Sequence, residues 1–161
     1  MFSPALLSLA KAVLDEARAK DLRVVTAESC TGGLISGLLT EFPGSSDVLE
    51  RGFVVYSNRA KQDLLGVAGE LIADHGAVSE EVARAMAQGA AAHSDAQLAV
   101  SVTGIAGPGG GTAAKPVGLV HVAACRDGKV LHEEHRFGDL GRTEIRTKSV
   151  EAALNLLRRL F

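Results

Sequence analysis

The chain has 161 residues with a formal net charge of −2, and the near-balance of 17 Lys and Arg against 19 Asp and Glu excludes the basic surface that nucleic-acid binding requires. Its 47% hydrophobic and 22% charged content is that of a globular chain, and no linker, repeat or low-complexity tract divides it, so a single domain over residues 1–161 is expected. The two cysteines, Cys30 and Cys125, form no disulfide framework, and no apolar run approaches the roughly 20 residues of a membrane span. A cytoplasmic protein without membrane or nucleic-acid partners is the expectation.

Ser3-Pro4 places a cap before a proline suited to the first helical position, and Leu6, Leu9, Ala10, Val13, Leu14 and Ala17 follow at helical spacing. Met1 to Leu14 carries no basic leader, contains Lys11, and reads as this amphipathic helix rather than as a signal peptide. Leu22 to Ala27 reads as a buried strand entering a polar, glycine-containing turn at Glu28 to Gly33, after which Leu34, Ile35, Leu38 and Leu39 form a second helical stripe. Phe42 to Ser46 is turn chemistry, with Ser45 and Ser46 placed to cap a short helical piece reaching about Glu50.

Gly52 to Ser57 reads as a strand. Asn58 is expected to cap a helix that carries Lys61 and closes at Gly66, and Ser79 to cap a longer one beginning with Glu80 and Glu81. Gln97 to Thr103 reads as a strand running into the glycine loop Gly104 to Gly111. Val117 to Ala124 and Val130 to Phe137 flank Arg126-Asp127-Gly128-Lys129, a hairpin signal, and Ile145, Ser149, Ala152, Ala153, Leu156 and Leu160 line one face of a final helix. The sum is an α/β protein, a three-layer α/β/α sandwich around a mixed, mostly parallel sheet.

Open α/β sheets bind ligands at the carboxyl ends of their strands, where three polar segments fall: Glu28 to Gly33, Tyr56 to Lys61, and Thr103 to Gly111. Ser29 lies in a strand-to-helix turn suited to a nucleophile, and Gly32-Gly33 allow close backbone approach. A serine needs a base, and none of the five histidines occupies a strand-end motif, which leaves Lys61. Lysine serves when desolvation lowers its pKa, and Tyr56, the only tyrosine, is placed to relay or orient the proton. Backbone amides within Cys30, Thr31 and Gly32, or at Gly104, are the candidates for holding an oxyanion.

Competing motifs fail. The loop has no Gly-Lys-Ser/Thr ending for a P-loop, and Thr112 breaks the dinucleotide-binding glycine register begun at Gly107. Cys30 is expected to pack rather than react, and Glu28 is open between a general acid and a structural partner. His132 and His135 fall on opposite faces of a strand, are poor joint metal ligands, and are expected to be exposed.

Five segments together resemble the CinA C-terminal domain family, whose standalone members are nicotinamide mononucleotide amidohydrolases. They are Thr26-Ala27-Glu28-Ser29-Cys30-Thr31-Gly32-Gly33, Phe42-Pro43-Gly44-Ser45-Ser46, Val54-Val55-Tyr56-Ser57-Asn58 with Lys61, Gly76-Ala77-Val78-Ser79, and Thr103 to Gly110. The resemblance spans essentially the whole chain. It implies hydrolysis of the nicotinamide carboxamide to nicotinate mononucleotide and ammonia through a Ser29-Lys61 dyad assisted by Tyr56, with no metal or cofactor, and it assigns Thr103 to the active site. The family has an arginine after a Gly-Asp pair for the substrate phosphate; here Leu140-Gly141 separates Gly138-Asp139 from Arg142, so Arg142 is the first choice and Arg146 the second. Thr112-Ala113-Ala114-Lys115 departs from the family's more acidic segment. The alternative from another class is a noncatalytic nucleotide-binding or competence-related regulatory domain. A homo-oligomer is also expected, from apolar helices such as the one ending at Leu160-Phe161.

Overall fold

The computed structural model describes residues 1–161. Three strands run parallel: β1 (Val24–Glu28) lies between β2 (Leu49–Val54) and β3 (Leu98–Gly104). The hairpin β4 (Leu119–Arg126) and β5 (Lys129–Arg136) extends the sheet in the order β2-β1-β3-β4-β5, with β3–β4 and β4–β5 antiparallel. Four strands therefore share one direction and β4 opposes them. At the hairpin tip Asp127 and Gly128 both have positive φ, 51° and 79°, the backbone that a two-residue turn needs to match strand twist.

Successive residues of a strand face opposite ways, and that alternation sorts the sheet into two cores. Val24, Val100, Val102, Val120 and Val122 face α1 (Pro4–Ala19), α2 (Leu34–Leu39) and α6 (Arg142–Arg158) in the larger core. Val25, Ala27, Ala99 and Ala123 face α3 (Asn58–Leu65), α4 (Gly69–His75) and α5 (Glu80–Ala92) in the smaller one. Each fully buried valine or leucine contributes about 1.5–3 kcal/mol relative to exposure. The α5 side of the sheet is built of small residues, Ala99, Ser101 and Ala123, so this helix lies close; Ser101 Oγ donates to Ala83 O at 2.6 Å.

The sandwich and its mixed sheet match the sequence reading, and so do the caps at Ser3 and Ser79 and the left-handed stop at Gly66. Three local expectations are corrected, and one helix is added. The second strand runs Leu49–Val54 rather than 52–57, because β1 turns away after Glu28 and the register ends at Glu28 opposite Val54. Ser57, not Asn58, caps α3: its hydroxyl accepts from Ala60 N at 3.0 Å, which makes Asn58 the first helical residue. Ser45–Asp47 is one 3₁₀ turn behind Gly44, with no side-chain cap, and stops early because β2 begins at Leu49. Helix α4 left no stripe in the sequence because Ile72 is its only buried residue.

The chain leaves β1 for one neighbour, β2, and returns on the other side as β3. Such a reversal opens a crevice beyond the carboxyl end of the central strand, and Ser29 is the first residue past β1.

Candidate active site

Glu28 ends β1 fully buried and organises the turn that follows. Its Oε2 accepts from Thr31 Oγ1 at 2.6 Å, Gly33 N at 3.1 Å and Ile35 N at 3.0 Å, and Oε1 accepts from Ser36 N at 2.9 Å. A carboxylate is an acceptor at both oxygens, and here it satisfies the orphan amides at the start of α2, a helix with no side-chain cap of its own. The open question about Glu28 is thereby answered: it is the structural partner of the turn. Gly32 and Gly33 have φ of +59° and +97°, which lets the chain reverse into α2.

Ser29 to Gly32 close a β-turn, with Gly32 N donating to Ser29 O at 3.1 Å, and Ser29 N donates to Val102 O at 3.0 Å. The amides of Gly32 and Gly33 are thus engaged, whereas those of Cys30 and Thr31, the two central residues, have no intramolecular acceptor. Successive unpaired amides in a turn form a concavity that favours an anion. Of the expected oxyanion donors, Cys30 borders the cleft with a free N–H, Thr31 is fully buried and does not line it, and Gly32 is engaged by Ser29 O.

Lys61 comes from α3, one turn past the Ser57 cap, and is 1% exposed. Helix α3 can sit low because α5 offers Gly89 beneath it; a Cβ there would collide with the Leu65 carbonyl. Lys61 Nζ stands 3.1 Å from Ser29 Oγ, 2.9 Å from Val55 O and 3.2 Å from Tyr56 O. Two of these partners are carbonyls, which only accept. A neutral amine has two N–H bonds for them and one lone pair, which is left for the Ser29 hydroxyl. The ammonium form has three N–H bonds for the same three oxygens, so a proton can pass between Nζ and Oγ without moving either residue. Burial holds the Lys61 pKa below its ordinary value, favouring the form that accepts a proton.

Cys30 has the opposite character. It is 5% exposed, and burial pushes its thiol up to about 12, so it is protonated and unreactive at neutral pH.

Tyr56 enters differently from expectation. Its carbonyl holds Lys61, while the residue is 62% exposed beside the cleft and its hydroxyl accepts from Arg142 Nη2 at 3.4 Å rather than bonding Ser29 or Lys61. Thr103 is buried at the end of β3 and donates Oγ1 to Ala77 O at 2.8 Å, tying the segment before α5 to the sheet. Gly104 beside it admits no side chain, since a Cβ would lie 2.7 Å from Val120 Cγ2.

These groups surround a cleft of about 240 Å³ lined by Ser29, Cys30, Lys61, Thr103, Gly104 and Arg142, with Tyr56 and Asn58 at its sides. Asn58 was missed as a cleft residue because its expected role as helix cap accounted for it. Arg142 is exposed there and donates Nη1 to Gly107 O at 2.9 Å, which fixes one edge of its guanidinium at the mouth. Arg146, one turn later, does not line the cleft: Nε and Nη2 donate to Cys30 O at 3.0 Å and Thr31 O at 3.1 Å.

His132 and His135 do face apart, but neither is exposed; their side chains are 10% and 26% accessible. His132 Nε2 lies 2.9 Å from His121 Nδ1 on the neighbouring strand, and His135 stacks on Phe137 two residues further along its own chain segment, so ring packing covers both.

The sequence matches the CinA C-terminal domain family over residues 6–161. The chain belongs to this family. It is 49% identical over 153 residues to a CinA-like protein of Syntrophobacter fumaroxidans, an alignment covering 95% of this chain and 36% of the relative. Against a CinA-like protein of Synechococcus sp. (strain RCC307) the identity is 51% over 152 residues, 94% of this chain and 36% of that protein. The chain thus spans about a third of the length of the curated relatives it matches. The competence/damage inducible protein CihA from Agrobacterium tumefaciens superposes with a TM-score of 0.98 at 54% identity, covering 99% of this chain and 98% of that one. A CinA superfamily protein from Escherichia coli superposes at 0.93 with 31% identity, covering 100% and 94%. No helix in this CinA-family chain is long and apolar enough to cross a membrane.

Proposed function

We propose that this chain is an amidohydrolase that converts nicotinamide mononucleotide to nicotinate mononucleotide and ammonia through an acyl-enzyme on Ser29. The observation that carries the reading is the buried Lys61 Nζ, held by two carbonyls with its remaining site toward Ser29 Oγ at 3.1 Å.

Ser29 Oγ attacks the carboxamide carbon as Lys61 takes the hydroxyl proton. The carbonyl oxygen becomes an oxyanion against the free amide of Cys30, which borders the cleft. Collapse breaks the C–N bond, and Lys61 returns its proton to the leaving nitrogen, so ammonia departs. Water then attacks the Ser29 ester with Lys61 again as base, and the carboxylate product leaves with Ser29 restored.

The cleft, about 240 Å³, is below the 300–1,000 Å³ usual for drug-sized ligands. It suits the pyridine ring and its carboxamide, with ribose and phosphate extending to the mouth, where Arg142 and Asn58 offer donors. Arg142 is the phosphate partner in this reading.

Ammonia release from nicotinamide mononucleotide by the purified chain, beside Ser29→Ala and Lys61→Ala, tests the proposal. Turnover by the parent and its loss in both variants is expected. A parent chain that releases no ammonia overturns it.

A further inference from the structure

Arg146 is a half-buried cation on α6 whose bonds to the nucleophile turn are unlike those of a ligand-binding arginine. Its fork holds two successive peptide units, through Cys30 O at 3.0 Å and Thr31 O at 3.1 Å. In a trans peptide the C=O and N–H point opposite ways. The Cys30 carbonyl, drawn toward Arg146, therefore directs the Thr31 N–H to the other side of the turn, and the Thr31 carbonyl does the same for Gly32 N–H, which meets Ser29 O at 3.1 Å.

We propose that Arg146 is a positioning residue for oxyanion stabilisation: its bond to Thr31 O polarises the Thr31–Gly32 peptide, whose N–H donates to Ser29 O at 3.1 Å, and this fixes and strengthens the Cys30 amide, the free donor of the turn that borders the cleft. The inference rests on the serine-nucleophile reading above. A cation on a peptide oxygen draws electron density toward it and makes the N–H of the same unit a better donor, as hydrogen bonds in a chain polarise one another. It also fixes the plane in advance, which is the condition for stabilising charge that develops only in the transition state. The need for such a device follows from Glu28. Its carboxylate occupies the first amides of α2, so the helix terminus supplies little positive potential of its own, and the Arg146 charge restores it on the Ser29 side. The guanidinium is spent on these two carbonyls and does not line the cleft, in contrast to Arg142 one turn earlier.

The test uses two readouts on the full chain: covalent labelling of Ser29 by a fluorophosphonate, whose phosphoryl oxygen sits where the oxyanion forms, and steady-state hydrolysis of nicotinamide mononucleotide. In Arg146→Ala the labelling rate and kcat fall together by about 10- to 100-fold, less than the outright loss of an oxyanion donor, while KM changes by less than about twofold. Arg146→Lys, which keeps the charge but reaches one carbonyl, is intermediate, and added guanidinium ion restores part of the rate to Arg146→Ala. Thermal melts of both variants report whether the fold is retained, and Arg146→Lys carries the test if Arg146→Ala does not fold. Labelling at the parent rate overturns the inference, as does a rise in KM at constant kcat, which would make Arg146 a substrate ligand. A parent labelled at Ser29 but inactive on the mononucleotide removes the substrate assignment and leaves Arg146 to be judged on labelling alone. A parent not labelled at Ser29 overturns the nucleophile and this inference with it.

Discussion

Lys61 Nζ lies 3.1 Å from Ser29 Oγ across a sequence separation of 32 residues, and both side chains are buried. The turn after β1 supplies one partner and the first helix after β2 the other, so the pair exists only because these strands are neighbours. Ser29→Ala and Lys61→Ala should each lower kcat/KM by several orders of magnitude, and the double variant should be little worse than either single one. Members of one nucleophile-base unit fail together. Losses that multiply in the double variant would show that the two act separately.

Activity should rise with pH along a limb set by Lys61, at a pH below the ordinary lysine range of about 10.4, because burial lowers its pKa. Stability should follow the same direction. Between the lowered folded pKa and the unfolded value, the unfolded chain binds more protons, so the penalty for burying this charge is full below the folded pKa and is relieved as pH rises through the window. Urea unfolding of the parent across that range should show the climb, and Lys61→Met should lack it.

Arg142→Ala should raise KM for the mononucleotide by about 10- to 100-fold, the loss of a charge-assisted hydrogen bond of ~1.5–3 kcal/mol, with little change in kcat. The corresponding riboside has no phosphate and should be hydrolysed equally by variant and parent. Parallel assays of both substrates check this, and an equal KM rise for the riboside would remove the phosphate assignment.

Glu28→Ala should destabilise the chain by about 3 kcal/mol or more, since it leaves three amides and the Thr31 hydroxyl without their acceptor, each worth ~1–3 kcal/mol when stranded. Glu28→Gln should recover only part, because its NH₂ turns a donor toward donors. Equilibrium denaturation measures both, and a loss under about 1 kcal/mol would show the turn to be held by other contacts.

Gly89→Ala should lower stability by about 1–3 kcal/mol and also reduce activity, because its methyl meets the Leu65 carbonyl and lifts the helix that carries Lys61. Gly37→Ala, at a position in α2 with open space around it, should instead stabilise by about 0.5–1 kcal/mol through reduced unfolded-state entropy. Melts and ammonia release on the two variants separate crowding at α3 from a general intolerance of alanine.

By itself the sequence determined the layers and the chemistry-bearing segments. Alternating and helical apolar spacing are local consequences of strand and helix geometry, so β1, β3, the hairpin and the long helices were readable, as was the convergence of the segments at 28–33, 56–61 and 103–111. The end of β2 and the cap of α3 were not, because a strand stops where its partner turns away and two good capping residues stood side by side. Only the tertiary structure decided what each polar group does. It turned Glu28 into the acceptor for α2, sent the Tyr56 hydroxyl toward Arg142 and divided the two arginines between the cleft and the turn. The physical reason is common to all three: a buried donor or acceptor must find a partner, and that partner is set by which elements pack together rather than by the residues adjacent in the chain.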